Sequence, residues 1–182
     1  MGIWILVGIV VLVVLWFIGT YNGFINLKNR VENAWAQVDV QLKRRYDLIP
    51  NLVETVKGYA AHEKEIFEKL GELRAKAMGA TSVKDIGDAN NQISATLKTL
   101  FAVAENYPEL KANENFLKLQ EELANTENKI TFARQFYNDV VMQYNAKQQR
   151  IPDVFIARMM NLTPKEYYPI EKEARGPVKV QF

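Results

Sequence analysis

Cysteine is absent from these 182 residues, and histidine occurs once, at position 62. Without cysteine there is no disulfide, no thiolate metal site and no lipid anchor on an N-terminal cysteine. His62-Glu63 opens like a zinc-protease motif, but that motif needs a second histidine four residues on, and position 66 is Ile. A carboxylate-bridged di-metal bundle needs Glu-x-x-His on two helices, which one histidine does not supply. A phosphate-cradling glycine loop and a nucleophile elbow are missing as well. Adjacent acids such as Glu121-Glu122 point in different directions from a helix. Charge excess is also lacking. With 23 basic and 21 acidic residues the net charge is +2, which is not the basic footprint of a nucleic-acid binder. The residues therefore nominate no catalytic, metal or cofactor-binding set, and the expectation is a protein that is not an enzyme.

No charged side chain precedes Lys28, and residues 3–18 are apolar or glycine throughout. At ~1.5 Å rise per residue, such a run crosses the ~30 Å hydrocarbon core as one helix. It lacks the basic leader and the small-residue cleavage site of a signal peptide, so an uncleaved anchor over residues 3–25 is expected. Trp4, Trp16 and Tyr21 stand where amphipathic rings settle at the two interfaces. Lys28, Arg30, Lys43, Arg44 and Arg45 follow the run and none comes before it. Basic flanks stay in the cytoplasm, which predicts the N-terminus outside and the body cytoplasmic.

The remainder reads as helices, with no convincing period of two. Leu27, Val31, Trp35, Val38 and Leu42 continue from the anchor. This helix is expected to end near Tyr46, with Asp47 as the next N-cap and Pro50 in the following first turn; one kinked continuous helix is the rival reading. A second segment runs from Ile49 to Ala77, with residues 79–84 as the only clear loop of the first half. Ser82 and Asp85 form a capping box for a third segment, which Pro108 stops. In the fourth, Phe116, Leu123, Ile130, Tyr137 and Tyr144 fall seven apart. Leu119, Thr126, Ala133 and Val140 alternate with them in an a/d seam. A short helix near residues 153–161 and an extended tail with Pro164, Pro169 and Pro177 complete the chain. The fold class is all-α: a transmembrane helix (1–25), an antiparallel up-and-down bundle of about four long helices (26–162) and an extended C-terminal tail (163–182).

Two polar features stand out. Tyr-Asn pairs occur at 21–22, 137–138 and 144–145, and Asn26, Asn29 and Asn33 dot the first helix. Asparagine is a mediocre helix former, so these either fix register through hydrogen bonds or line a polar ligand groove. Arg44, Arg45, Asp47 and Asn51 cluster beside Pro50 as partner-binding candidates, since arginine offers a fork for carboxylate or phosphate. Internal pairing of these arginines with acids of other helices is the competing reading.

The run Asn33-Ala34-Trp35-Ala36-Gln37-Val38-Asp39, then Asp47-Leu48-Ile49-Pro50-Asn51-Leu52-Val53, Val56-Lys57-Gly58-Tyr59-Ala60, Glu105-Asn106-Tyr107-Pro108 and the late Tyr-Asn pairs resembles the LemA family of bacterial membrane-anchored helical proteins. The resemblance implies an N-terminal anchor in the bacterial cell membrane and a helical body. It also implies a setting in membrane organisation or protein quality control, with a membrane metalloprotease system among the partners. The expected function is a non-enzymatic, single-pass interaction module that binds other proteins or itself. A self-assembling membrane scaffold and a hydrolase using bundle carboxylates are the alternatives.

Overall fold

The computed structural model describes residues 1–169. Among them there are six helices and no strand. The first, α1 (Gly2–Lys57), is one helix of 56 residues, about 84 Å long at ~1.5 Å per residue. Residues 1–19 are exposed all round, and burial begins at Thr20. The lower part of α1 thus presents only apolar side chains and packs on nothing. It is long and apolar enough to cross a membrane.

The expected break at Tyr46 and Asp47 is corrected: α1 continues through Pro50 as one helix. A proline inside a helix orphans the carbonyl four residues earlier. Here that carbonyl belongs to Tyr46, and the Arg74 Nε–H donates to it at 2.8 Å. A side chain from a neighbouring helix satisfies the freed acceptor, so the helix continues. It stops at Gly58 instead, where turns over residues 58–63 are closed by Ala60 N–H to Val56 C=O at 2.8 Å and Glu63 N–H to Ala60 C=O at 3.2 Å. Glycine is about 1 kcal/mol poorer than alanine in a helix. The single segment expected from Ile49 to Ala77 is therefore divided, and 79–84 is not the only loop of the first half.

After this turn come α2 (Lys64–Gly79) and α3 (Val83–Ala104). Ser82 caps α3 as expected: its Oγ accepts from the Asp85 N–H at 3.0 Å, while the Asp85 carboxylate takes the Ser82 hydroxyl at 2.7 Å in place of the backbone N–H of a full capping box. A single turn, α4 (Pro108–Lys111), leads to α5 (Glu114–Gln149), capped by Asn113 Oδ1 on the Phe116 N–H at 3.0 Å. A cis Ile151–Pro152 peptide precedes α6 (Asp153–Met159).

Cross-helix contacts fix the topology. Asn113–Tyr59, Arg45–Glu127, Trp35–Tyr137 and Phe24–Lys147 make α5 antiparallel to α1. Arg74 on Tyr46 and Lys57 over Phe67 make α2 antiparallel to α1 as well. The pairs Tyr46–Asn90 and Glu63–Tyr107 share one offset of 44 residues, so α3 runs parallel to α1. The bundle is therefore up-down-up-down. The end remote from the apolar stretch has four helices; the end next to it is the α1–α5 pair, joined by α6 and the following segment.

Phe116, Leu123, Thr126, Ile130, Tyr137, Val140 and Tyr144 of the heptad seam are buried, and Leu119 and Ala133 are half-buried. They meet Val31, Ala34, Val38, Leu42, Ile49 and Leu52 of α1 in one continuous core. A satellite of Phe24, Ile156 and Ala157 sits where α6 meets α1. Asn161 ends α6 with φ 51°, the left-handed conformation asparagine tolerates best after glycine. Leu162 N–H bonds Ala157 C=O and Asn161 N–H bonds Arg158 C=O, both at 3.0 Å. This Schellman geometry turns the chain back along α5. Residues 163–169 carry no helix; the rest of the expected tail, 170–182, lies outside the described residues.

Candidate interaction surfaces of the bundle

The four candidate residues share one continuous helix but not one face. Arg44, Asp47 and Asn51 follow one another at i, i+3 and i+7 and are exposed. Arg44 pairs with Glu122 of α5, each side chain about half exposed. Asn51 borders a shallow depression with Thr55, Asn115, Lys118, Leu119 and Glu122.

Arg45 points inward, with 1% of its side chain exposed. Its Nη1 donates to Ser94 Oγ at 2.8 Å and Glu127 Oε2 at 2.6 Å. Its Nη2 donates to the Asn90 carbonyl at 3.2 Å and to the Asn90 side-chain oxygen. Ser94 Oγ donates to Glu127 Oε1 at 2.8 Å, and Asn90 Nδ2 donates to Tyr46 Oη at 2.6 Å. Burial pushes the Tyr46 phenol above its ordinary pKa, against the opposing pull of Asn90 and Arg45. Stripping water from a guanidinium costs several kcal/mol, offset only when its hydrogen bonds are well placed. Arg45 is thus spent inside the bundle, locking α1 to α3 and α5. The partners Asn90, Ser94 and Glu127 were not singled out from sequence. The available signal was Asn90 and Ser94 at i, i+4, interrupting the apolar stripe Ile86, Ala89, Ile93 and Leu97.

A second surface also escaped the sequence reading. Asn33, Ala36, Gln37 and Val40 of α1 and Lys129, Phe132, Ala133 and Phe136 of α5 line an open groove of about 520 Å³. Phe132 is 71% exposed, Val40 62% and Phe136 43%. Lys129 is the only charged residue of the lining. The legible clue was Phe132 and Phe136 lying four apart and off the a/d seam.

The asparagines divide. Asn22, Asn26, Asn29 and Asn33 are exposed. Asn138 and Asn145 clamp the segment after α6. Asn138 Oδ1 accepts from the Tyr168 N–H at 2.8 Å, and its Nδ2 donates to the Tyr168 C=O at 3.1 Å. Asn145 treats Lys165 in the same way, at 2.8 and 3.0 Å. Tyr137 Oη donates to the Glu166 C=O at 2.9 Å, and Gln148 Nε2 to the Thr163 C=O at 3.3 Å. Burial raises the Tyr137 and Tyr144 phenols too. His62 is exposed in the 58–63 turn, and among the described residues no group of three His, Cys, Asp or Glu side chains could hold a metal ion.

A model of the LemA family matches residues 34–182, from Ala34 on α1 through the Arg45 network and both asparagine clamps. Magnetosome protein MamQ 2 of Paramagnetospirillum magneticum is 24% identical over 198 residues, covering 92% of this chain and 73% of that protein. Magnetosome protein MamQ of Magnetospirillum gryphiswaldense is 22% identical over 184 residues, covering 87% of this chain and 68% of that protein. Protein LemA of Metamycoplasma hominis is 25% identical over 135 residues, covering 72% of this chain and 60% of that protein. With the family match spanning most of the bundle and the segment that the asparagines clamp, the chain belongs to the LemA family.

Proposed function

We propose that this is a non-enzymatic, single-pass membrane protein that holds a rigid helical bundle at the membrane surface to bind other proteins. The observation that supports it most is the unbroken α1. Residues 2–19 are apolar and bare, and the same helix continues into the bundle as its central strut. A bilayer is the medium that covers such a surface at least cost. The relatives named as magnetosome proteins support membrane organisation as the setting. Carbonate extraction tests the anchor. The full chain stays with the membrane pellet, whereas a chain starting at Asn26 is soluble and helical; release of the full chain contradicts the reading. Orientation follows from the basic residues after residue 25, with the body cytoplasmic. A C-terminal reporter active only in the periplasm stays silent, and strong signal reverses the assignment.

Lateral self-assembly is a second reading, favoured by the Val40, Phe132 and Phe136 groove. The antiparallel pairing sets Phe132 level with Val40 and Phe136 level with Ala36. Copies anchored by the same helix stand at one height, so a two-fold axis along the membrane normal puts each phenylalanine against the partner copy's α1. Exposed aromatics with little charge suit the centre of an interface. The cysteine-free chain permits a clean test. Val40→Cys and Phe132→Cys chains expressed together cross-link in membranes through a short bismaleimide. Absence of the cross-link, with both chains present and folded, removes this reading.

A further inference from the structure

We propose that the α5 face carrying Asn138 and Asn145 is a peptide-binding groove for extended segments with an aromatic anchor. Residues 163–169 fill it in cis, and the same segment of a second copy fits it in trans. This goes beyond the membrane reading and uses a different surface: at ~100° per residue, Asn138 stands about 180° around α5 from Lys129 in the apolar groove.

Asn138 and Asn145 are seven residues apart on a helix, about 10.5 Å at ~1.5 Å per residue. Lys165 and Tyr168, the residues they hold, are three apart on extended chain, about 10 Å at ~3.3 Å per residue. A heptad on the helix therefore matches a three-residue step on the strap. Each clamp engages one N–H and one C=O of the same residue. Those groups belong to every extended peptide, so the clamps read backbone and period, not side-chain identity.

Specificity comes from one position. Thr163, Pro164, Glu166 and Tyr167 are exposed, whereas Tyr168 is 1% exposed. Its ring lies under the Arg134 guanidinium, 4.7 Å from the ring centroid, and 6.5 Å from the Trp35 ring. Cation–π contact and aromatic packing favour an electron-rich ring in that slot. Gly87 of α3 forms the floor. A methyl group there would come within 2.3 Å of the Pro169 ring and 3.2 Å of Tyr168, so only a bare backbone lets the strap approach. Tyr168 reaches the core of the bundle as the strap's buried anchor, while the asparagine clamps hold only backbone groups.

The test titrates a fluorescein-labelled peptide of residues 162–169 into the full chain in detergent micelles, read by anisotropy. In the wild type the tethered strap competes at high effective concentration and binding is weak. Tyr168→Ala loosens the strap and raises peptide affinity at least tenfold. Lys165→Pro, which removes the N–H that Asn145 accepts, gives the same opening by a second route. Adding Asn138→Leu, or Gly87→Ala, to either background returns binding to the wild-type level. No gain in Tyr168→Ala and Lys165→Pro overturns the proposal, as does a gain that survives Asn138→Leu. If neither variant keeps a cooperative melt, the strap is part of the fold and not an occupant, and the proposal falls. Gel filtration of the wild type beside Tyr168→Ala reads exchange between copies. A dimer that Tyr168→Ala abolishes supports the trans occupant, and a monomeric wild type, or a dimer that Tyr168→Ala leaves intact, refutes it.

Discussion

Replacing Arg45 with alanine tests the bundle's central joint. The side chain is 1% exposed and donates to Ser94, Glu127 and Asn90 at once. Its removal leaves the Glu127 carboxylate without its ion partner, and Ser94 Oγ and the Asn90 side-chain oxygen without the guanidinium donor. Breaking a buried pair from one side costs about 3–5 kcal/mol. Glu127 remains one-third exposed, so water recovers part of its solvation, which favours the lower half of that range. For a chain of this size 1 kcal/mol moves Tm by about 2–4 °C, so Arg45→Ala melts roughly 6–16 °C below the wild type. Arg45→Ala with Glu127→Gln recovers part of the loss, because no uncompensated charge is left. Arg44→Ala is the internal control: its pair with Glu122 is half exposed, and such pairs contribute less than ~1 kcal/mol. Thermal melts by circular dichroism on the three variants decide the matter. An Arg45→Ala melting point within about 2 °C of the wild type refutes the strut.

Leu123 sits in mid-seam at 3% exposure, so Leu123→Ala costs roughly 2–5 kcal/mol in urea unfolding, and a loss below ~0.5 kcal/mol removes it from the core. Alkaline pH destabilises the protein through its buried phenols. Burial pushes Tyr168 up to about 12, against ~10 in the unfolded chain. The unfolded state therefore loses its proton first, and stability present below ~pH 10 falls away as pH rises toward 12. Tyr168→Phe shows a smaller drop in urea midpoint over this window than the wild type, with Tyr46, Tyr137 and Tyr144 supplying the remainder. An identical drop in the variant contradicts the burial of that phenol.

Periodicity carried most of the fold. The heptads from Phe116 to Tyr144 mark the buried face of α5, and Ser82 with Asp85 marks the start of α3, because apolar spacing and capping are local chemistry. The join between α1 and the next segment was not legible for the opposite reason. Pro50 is a helix breaker unless another element satisfies the carbonyl it frees, and that element, Arg74, lies 28 residues from Tyr46. Gly58 was the true stop, yet an apolar pattern continuing past it masked the signal. The site followed the same rule. The basic character of Arg44 and Arg45 was plain, but consecutive helix positions differ by ~100°, so one arginine reaches solvent and the other enters the core. The paired asparagines were visible as unusual, while their partner, an extended strap of a different period, could not be read from the helix alone.

The central claim is that α1 holds a protein-binding bundle at a membrane. Chemical cross-linking of the full chain in intact membranes, followed by mass spectrometry, measures this most directly. The account predicts discrete protein adducts on the bundle, from a second copy or from another protein of the membrane. Replacing residues 2–19 with a soluble sequence abolishes them. A full chain that is folded and membrane-bound but forms no protein adduct, or adducts that persist without the apolar helix, would contradict it.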